Sequence, residues 1–469
     1  MNEFISNDQS NTLTLKDIKK MYKDYFNYGQ VGLLDKFSFA KEEIIKAKGV
    51  YLESSSGKKI LDATSGFGTQ NLGYNHNEIV KARVDFIENE NLSFSRLFFS
   101  KHIASLSKNL SDILPGELNY SFFCNSGAEA NEGALKIAYK YHGGNRNIVI
   151  HNKNSFHGKL IATSQITDSP EVSFDFQGAL STLSINLEDL DDVEKNLQEN
   201  KGNIYALILE PFSASLARPF DILKLEKIFK LCKNEDILII FDEVYSGFYR
   251  TSNLFYFMNN KDFVPDIITY SKSFGGGIAS ISGYTAKKEV FIKAYGKQND
   301  ALLHSSTYSN YIEEVYIANK ALEIFTNKEF QNHLSQNLLR IKDKIKILEN
   351  LDNVTEITGD GFHWGIKLKD INILGAEKLM KTLPIDIVKD PRFLEKLYVG
   401  SIINLLFNKY NILTYATFNK EIKLIISPPL IIKTSEIDFI FESLNDVLSK
   451  NPLELISKFV KDAILNKFK

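Results

Sequence analysis

The sequence contains little cysteine, no long apolar run and no excess of charge of one sign. Only two cysteines occur among 469 residues, which excludes a disulfide scaffold and favours a reducing, cytoplasmic location. No apolar run approaches the roughly 18 residues of a membrane span, and the run at 237–241 stops at Asp242. Basic residues total 56 and acidic residues 58, which argues against a nucleic-acid-binding surface. We therefore expect a soluble protein that binds neither membranes nor nucleic acids.

The chain is long enough to form a large core shared between two lobes. Between about 120 and 290, short apolar runs alternate with segments of helical periodicity. Such runs are typical of strands buried on both faces of a mostly parallel sheet. The predicted strands are Tyr120–Cys124, Ile148–His151, Ile204–Leu209, Ile237–Phe241, Ile267–Tyr270 and Ser282–Thr285.

One motif, Phe123–Ala130, follows a predicted strand and begins a helix. Ser126 and Glu129 have the spacing of a capping box, and Gly127 leaves the backbone amides uncovered. A helix N-terminus of this kind can bind a phosphate group. When the motif is taken alone, an ordinary capped helix is the better explanation.

A second motif, Asn154–Gly158, lies just after another predicted strand. Open α/β sheets bind ligands at the carboxyl ends of their strands. The Phe156 ring could stack there on a flat cofactor, and His157 could donate a hydrogen bond. The alternative is a loop that contains a packed phenylalanine and a solvated histidine.

Ionisable residues follow three of the predicted strands, namely Glu210, Asp242 and Lys272. Adjacent parallel strands would bring these side chains together at one edge of the sheet. A structural ion pair is the common explanation for such a set. The three glycines at 275–277 add a turn where the backbone and a ligand can approach closely.

Pyridoxal phosphate chemistry uses all of these parts. The cofactor needs a lysine for a Schiff base, an acid near its ring nitrogen, a stacking side chain and a phosphate site. The three motifs supply these groups in one chain.

The order of motifs resembles the class-III pyridoxal-phosphate aminotransferases, especially the ornithine, acetylornithine and putrescine aminotransferase branch. The resemblance covers about 45–435 and includes FFCNSGAEANEGALKIA, SFHGK, LILEPF, IIFDEVYSGFYRT, PDIITYSKSFGGG and LLHSSTYSN. It implies an α/β, type-I pyridoxal-phosphate fold with a mostly parallel seven-stranded sheet. It also implies a large domain at 96–330 and a small domain formed by 1–95 and 331–469.

The resemblance assigns roles residue by residue. Lys272 forms the Schiff base with pyridoxal 5'-phosphate and later moves the proton, and Asp242 pairs with the pyridinium nitrogen. Phe156 stacks on the cofactor ring, and Glu210 lies beside it.

The cofactor's phosphate has further ligands by the same resemblance, which are Ser126, Gly127 and Ala128. Thr307 reaches the phosphate of the neighbouring subunit, which implies a homodimer. No metal site is expected.

Several positions depart from the family pattern. Tyr245 replaces a glutamine that contacts the cofactor, and we expect its side chain to contact the cofactor as well. Ile425 stands where many members have an arginine that binds a substrate α-carboxylate, and Thr358 lies near another arginine position. Apolar groups cannot replace the bidentate pairing of arginine, although Arg250 or Lys423 could take that role.

The sequence therefore predicts an aminotransferase that moves an amino group between an amine or ω-amino compound and an aldehyde or ketone. We expect the specific substrate to have no carboxylate at its reacting carbon. Decarboxylation, racemisation and aminomutase chemistry on the same fold are alternatives, and a non-catalytic cofactor-binding protein is another.

Overall fold

A seven-stranded sheet lies at the centre of the computed structural model, which describes residues 4–169, 178, 180–260, 262–371 and 392–465. The strands in chain order are β1 Ile44–Lys48, β2 Tyr51–Ser54, β3 Lys59–Asp62, β4 Leu118–Cys124, β5 Ile148–Asn152, β6 Ser181–Ile185, β7 Ile204–Leu209, β8 Phe212–Ser213, β9 Arg218–Pro219, β10 Leu238–Asp242, β11 Ile267–Tyr270, β12 Ser282–Lys287, β13 Val354–Asp360, β14 His363–Leu368, β15 Ile412–Leu413, β16 Tyr415–Phe418 and β17 Ile422–Ile426.

The helices surround the sheets and occupy most of both chain ends. They are α1 Asn7–Ser10, α2 Leu15–Met21, α3 Tyr28–Leu34, α4 Ser65–Gly68, α5 Asn77–Glu88, α6 Lys101–Ile113, α7 Gly127–Tyr141, α8 Ile161–Gln165, α9 Leu190–Glu199, α10 Ile222–Asn234, α11 Lys288–Tyr295, α12 Ile312–Phe325, α13 Lys328–Leu348, α14 Phe393–Tyr410, α15 Thr434–Leu448 and α16 Pro452–Leu465.

The central sheet has the order β4-β12-β11-β10-β7-β5-β6. Strands β11, β10, β7, β5 and β6 run parallel to one another, and β12 is antiparallel to both β11 and β4. Consecutive residues of β10 belong to two different apolar cores, with Ile239 and Phe241 in one and Leu238 and Ile240 in the other. The sheet is therefore buried on both faces, which explains the continuous apolar runs.

Two four-stranded sheets and a short pair of strands complete the architecture. One sheet has the order β1-β2-β3-β15, and its parallel β3–β15 pair joins segments from the two ends of the chain. The other has the order β13-β14-β17-β16 and is antiparallel throughout. Strands β8 and β9 form the short pair.

The α/β fold with a mostly parallel seven-stranded sheet is confirmed. Six of its strands overlap the six predicted runs. The seventh, β6, lies at the sheet edge and is largely exposed or half-buried, so it lacks a continuous apolar run. The domain boundaries after residues 95 and 330 stay predictions.

In the part of the chain that the structure describes, no helix is long and apolar enough to cross a membrane. The same residues include no group of three or more histidine, cysteine or acidic side chains arranged to hold a metal ion.

Candidate active site

Three adjacent parallel strands carry the ionisable residues of the site at their carboxyl ends. Glu210 follows β7, Asp242 ends β10, and Lys272 lies two residues after β11. Asp242 is opposite Thr269 in the β10–β11 register. The topology of the sheet therefore gathers a lysine and two carboxylates at one edge.

Lys272 is half-buried and has a φ of 50°, a left-handed conformation that is uncommon for a non-glycine residue. Burial lowers the pKa of its ammonium group, while the charges of Asp242 and Glu210 act in the opposite direction. The burial favours the neutral amine, which is the nucleophilic form.

Asp242 is buried and held by hydrogen bonds on both carboxylate oxygens. Its Oδ2 lies 2.8 Å from His157 Nδ1 and accepts a hydrogen bond of 2.7 Å from Asn131 Nδ2. Its Oδ1 accepts one of 3.0 Å from the Val244 N–H. Thr269 fixes Asn131 in turn by donating to Asn131 Oδ1 over 2.7 Å. These contacts orient the carboxylate at the sheet edge.

Glu210 accepts two backbone hydrogen bonds, from Phe156 over 3.1 Å and from Ala214 over 3.3 Å. Burial raises the pKa of its carboxyl group to about 7. The charge on Asp242 also raises this pKa, whereas His157 lowers it. The carboxyl group therefore exchanges its proton near neutral pH.

The N-terminus of α7 lies beside the strand ends. Ser126 caps the helix by accepting from the Glu129 N–H over 3.3 Å. A Cβ at Gly127 would lie only 2.7 Å from Val244 Cγ1, so the close approach of the loop after β10 requires glycine. The first N–H groups of a helix have no carbonyl partner within the helix, and they form a site suited to phosphate.

The Asn154–Gly158 loop reaches the same helix end. A Cβ at Gly158 would lie 2.7 Å from the Ala128 Cβ. The Phe156 side chain is 38% exposed, which leaves its ring available for stacking. Glu210 fixes the backbone of Phe156, as described above.

Tyr245 lies beside Lys272. The Lys272 Nζ lies 5.2 Å from the centre of the Tyr245 ring. The phenol oxygen lies 2.7 Å from His363 Nδ1, 3.1 Å from Ser427 Oγ and 3.2 Å from the Tyr415 hydroxyl. These contacts join the loop after β10, which contains Tyr245, to β14, β16 and the segment after β17.

Ile425 lies on the face of β17 that also carries Lys423 and Ser427, because side chains alternate along a strand. Ser427 contacts Tyr245, so this face lies toward the site. Ile425 is fully buried and places an apolar group there.

The two cations that could substitute for an arginine at Ile425 are both enclosed by protein groups. Arg250 is completely buried and donates to Asn71, Phe362, Ser427, Pro428 and Ser65. Lys423 is also completely buried, and its Nζ lies 2.7 Å from Thr358 Oγ1, 3.1 Å from the Leu216 carbonyl oxygen and 3.1 Å from a carboxylate oxygen of Glu421. Both side chains hold the fold together.

Thr307 is exposed at the start of a 3₁₀ turn, Thr307–Asn310. Sequence reasoning missed Asn131, His363, Tyr415 and Ser427. Asn131 has a sequence signal, because it is a polar residue on the buried face of α7. The other three lie more than a hundred residues from Tyr245, and no local pattern marks them.

These residues fit pyridoxal phosphate. The buried carboxylate of Asp242, the half-buried amine of Lys272 and the open helix end beside Gly127 match the ring nitrogen, the aldehyde and the phosphate. His157 Nε2 is buried without a hydrogen-bond partner among the described residues. This nitrogen therefore retains the capacity for one hydrogen bond.

Comparison with known proteins gives a consistent result. The family model "Aminotransferase class-III" matches residues 39–448. An acetylornithine aminotransferase of Bacillus cereus is 30% identical over 334 residues, covering 70% of this chain and 82% of the relative.

Solved structures share the fold. A transaminase from the marine bacterium Virgibacillus has a TM-score of 0.79 at 20% identity, covering 94% of this chain and 99% of the other. The ω-transaminase from Pseudomonas jessenii in complex with PMP has a TM-score of 0.73 at 22% identity, covering 87% and 92%.

Proposed function

Because the chain belongs to the class-III aminotransferase family, we propose that Lys272 and Asp242 carry out its pyridoxal-phosphate-dependent transamination. The observation that carries this proposal is the meeting of Lys272, Asp242 and the α7 N-terminus at one edge of the sheet. Bound there, the cofactor would supply an aldehyde that reacts with amines and a ring that would accept electrons from the reacting carbon.

Each residue has a defined task in this proposal. The Asp242 carboxylate, oriented by His157 and Asn131, holds the proton on the ring nitrogen. Lys272 Nζ binds the cofactor and then moves a proton at the reacting carbon, a task helped by its lowered pKa. Phe156 covers one face of the ring.

The phosphate binds to the hydroxyl of Ser126 and to the backbone of Gly127 and Ala128. The partial positive charge at the N-terminus of α7 adds to this attraction.

The specific substrate has a primary amine or a carbonyl group with no carboxylate at the reacting carbon. A carboxylate in a closed site needs a cationic partner, since an unpaired buried charge is costly. Ile425 supplies none, and the hydrogen bonds of Arg250 and Lys423 go to protein groups. The common amino donor is outside this proposal and can be an α-amino acid.

Single-turnover measurements with matched pairs test the substrate proposal. We expect 2-phenylethylamine to convert the cofactor at least about tenfold faster than phenylalanine, which differs only by the carboxylate. The Ile425→Arg variant should narrow that ratio. If phenylalanine reacts faster and Ile425→Arg gains nothing for it, the proposal is wrong.

The enzyme works as a homodimer in which Thr307 contacts the phosphate in the neighbouring subunit. Large apolar side chains are exposed in the segment that contains Thr307 and at 97–99, where Phe99 is fully exposed. The loop at 93–97 bonds to the segment at 306–312, so the two halves of this patch are continuous. A contiguous apolar patch of this kind marks a protein interface. Its members are Leu97, Phe98, Phe99, Leu302, Leu303 and Tyr308.

Mixing two defective variants tests the shared site. A heterodimer of Lys272→Ala and Thr307→Ala subunits should contain one site with both defects and one intact site. After complete subunit exchange, activity should recover to about a quarter of the parent, because half of the dimers are mixed. Complete exchange without recovery would show that Thr307 acts within its own subunit.

We also place the protein in the cytoplasm. Cys124 and Cys232 are both buried free thiols, as expected for a reducing compartment. Fractionation of cells that express the tagged protein measures this directly, and recovery outside the cytoplasm would contradict it.

A further inference from the structure

His363 has both ring nitrogens engaged in a way that fixes its chemical form. Its Nε2 lies 3.0 Å from the Ala214 carbonyl oxygen, which can only accept, so Nε2 carries the proton. Burial, with the nearby charge of Arg250, lowers the pKa of the ring to about 3. His363 is therefore neutral, and its Nδ1 is an acceptor.

The direction of the Tyr245 hydroxyl follows from this. Because Nδ1 has no proton, Tyr245 must donate to it over the 2.7 Å that separate them. Burial raises the pKa of the Tyr245 phenol, so the proton needed for this bond is retained. The phenol oxygen is then left to accept from Tyr415 and Ser427.

This anchor holds the aromatic ring against Lys272. A Cβ at Gly68, where φ is +86°, would lie 3.1 Å from Tyr245 Cε2 and 3.4 Å from Lys272 Cδ. The glycine thus lets the ring and the lysine side chain pack together. The ring centre is 5.2 Å from Nζ, within the range at which an aromatic face attracts a cation.

We infer that His363 is a positioning residue, which holds the Tyr245 ring over the Lys272 nitrogen and thereby makes that nitrogen keep its proton more firmly. This inference rests on the proposed role of Lys272. The other charged groups that act on this nitrogen are the carboxylates of Asp242 and Glu210. Glu210 is also linked to His363, because Ala214 donates to Glu210 Oε1 and accepts from His363.

A spectroscopic titration of the cofactor-bound enzyme tests the role of His363. The pH midpoint of the visible absorbance change reports protonation of the Lys272 nitrogen while the cofactor is attached. In His363→Phe the acceptor is lost and the ring is released, so the midpoint should fall by about half a unit to one unit. In His363→Gln the amide can accept from Tyr245 and donate to Ala214, so the midpoint should return close to that of the parent.

Two Tyr245 variants complete the set of substitutions. Tyr245→Phe keeps the ring but loses the hydroxyl, and its midpoint should fall as in His363→Phe. In a Tyr245→Leu background, His363→Phe should cause no additional shift, because no ring remains to be positioned.

Specific results would overturn the inference. One is an unchanged midpoint in Tyr245→Phe, which needs no folded His363 variant. Another is an undiminished effect of His363→Phe in the Tyr245→Leu background. The Lys272→Ala variant separates these results from failure of the proposed function. If Lys272 does not carry the cofactor, this variant keeps both the parent's cofactor affinity in equilibrium dialysis and the same absorbance band.

Discussion

Carboxylates and a lysine form one side of the site, whereas neutral hydroxyl and imidazole groups form the other. On the first side, the ends of adjacent strands in one sheet place Glu210, Asp242 and Lys272. On the second side, Tyr245 meets His363 and Ser427 from a different sheet region. Sheet topology fixes the first side, while the second side depends on how two sheets pack together. The residues of the first side therefore stand at strand ends in the sequence, whereas those of the second side meet only through tertiary packing.

The largest expected effect comes from removing the Lys272 amine. Lys272→Ala should slow the amine half-reaction by at least about a thousandfold, because the group that moves the proton is lost. Rapid-scan absorbance measures this rate. Lys159→Ala is a matched control, since Lys159 is exposed and 5.9 Å from the Phe156 ring. A Lys272→Ala variant that keeps a tenth of the parent rate would show that Lys272 does not move the proton.

Neutralising the buried carboxylate should have the next largest effect. Asp242→Asn should bind the cofactor but lose about a hundredfold in turnover, because a positioned charge near the reacting system is lost. Asp266→Asn is a suitable control, since Asp266 precedes β11 at the opposite end of the sheet and pairs with Lys287. Activity of Asp242→Asn within a few-fold of the parent would mean that this carboxylate serves only the fold.

The smallest expected effect concerns Glu243, the neighbour of Asp242. Burial raises the pKa of its carboxyl group to about 7 in the folded state. The folded protein therefore binds this proton more tightly than the unfolded chain. The stabilisation is fully present below the usual glutamate pKa of about 4.3 and is lost as the pH rises through about 7.

Thermal unfolding at several pH values checks this sign. The Tm of Glu243→Gln relative to the parent should rise by about 1–3 °C between pH 5 and pH 8. Glu226→Gln provides the comparison, because the Glu226 side chain is 46% exposed and pairs with Lys230 on α10. A relative Tm that falls over this range would give the opposite sign and refute the assignment.

The side of the site with the lysine and carboxylates was predictable from the sequence because its residues stand next to strand ends. A buried parallel strand appears as a continuous apolar run, and the residue that follows it is then placed by topology. Glu210, Asp242 and Lys272 all met that condition. The edge strand β6 did not, since half-burial breaks up its apolar pattern.

The side of the site formed by Tyr245 and its partners was only partly predictable from the sequence. Tyr245 and Ile425 could be identified as departures from a family pattern. Their surroundings could not, because the contact of Tyr245 with His363 spans 118 residues and depends on the packing of β14 and β17. The enclosure of Arg250 by backbone carbonyls is likewise a property of the assembled fold.

The most direct test of the proposal that Lys272 carries the cofactor is to locate the cofactor on the chain. Borohydride reduction of the cofactor-bound enzyme, followed by peptide mass spectrometry, should find the pyridoxyl group on the peptide that contains Lys272 and on no other lysine. Loss of the label in folded Lys272→Ala should accompany this result. A stoichiometric label on a different lysine, or one that persists in Lys272→Ala, would contradict the account.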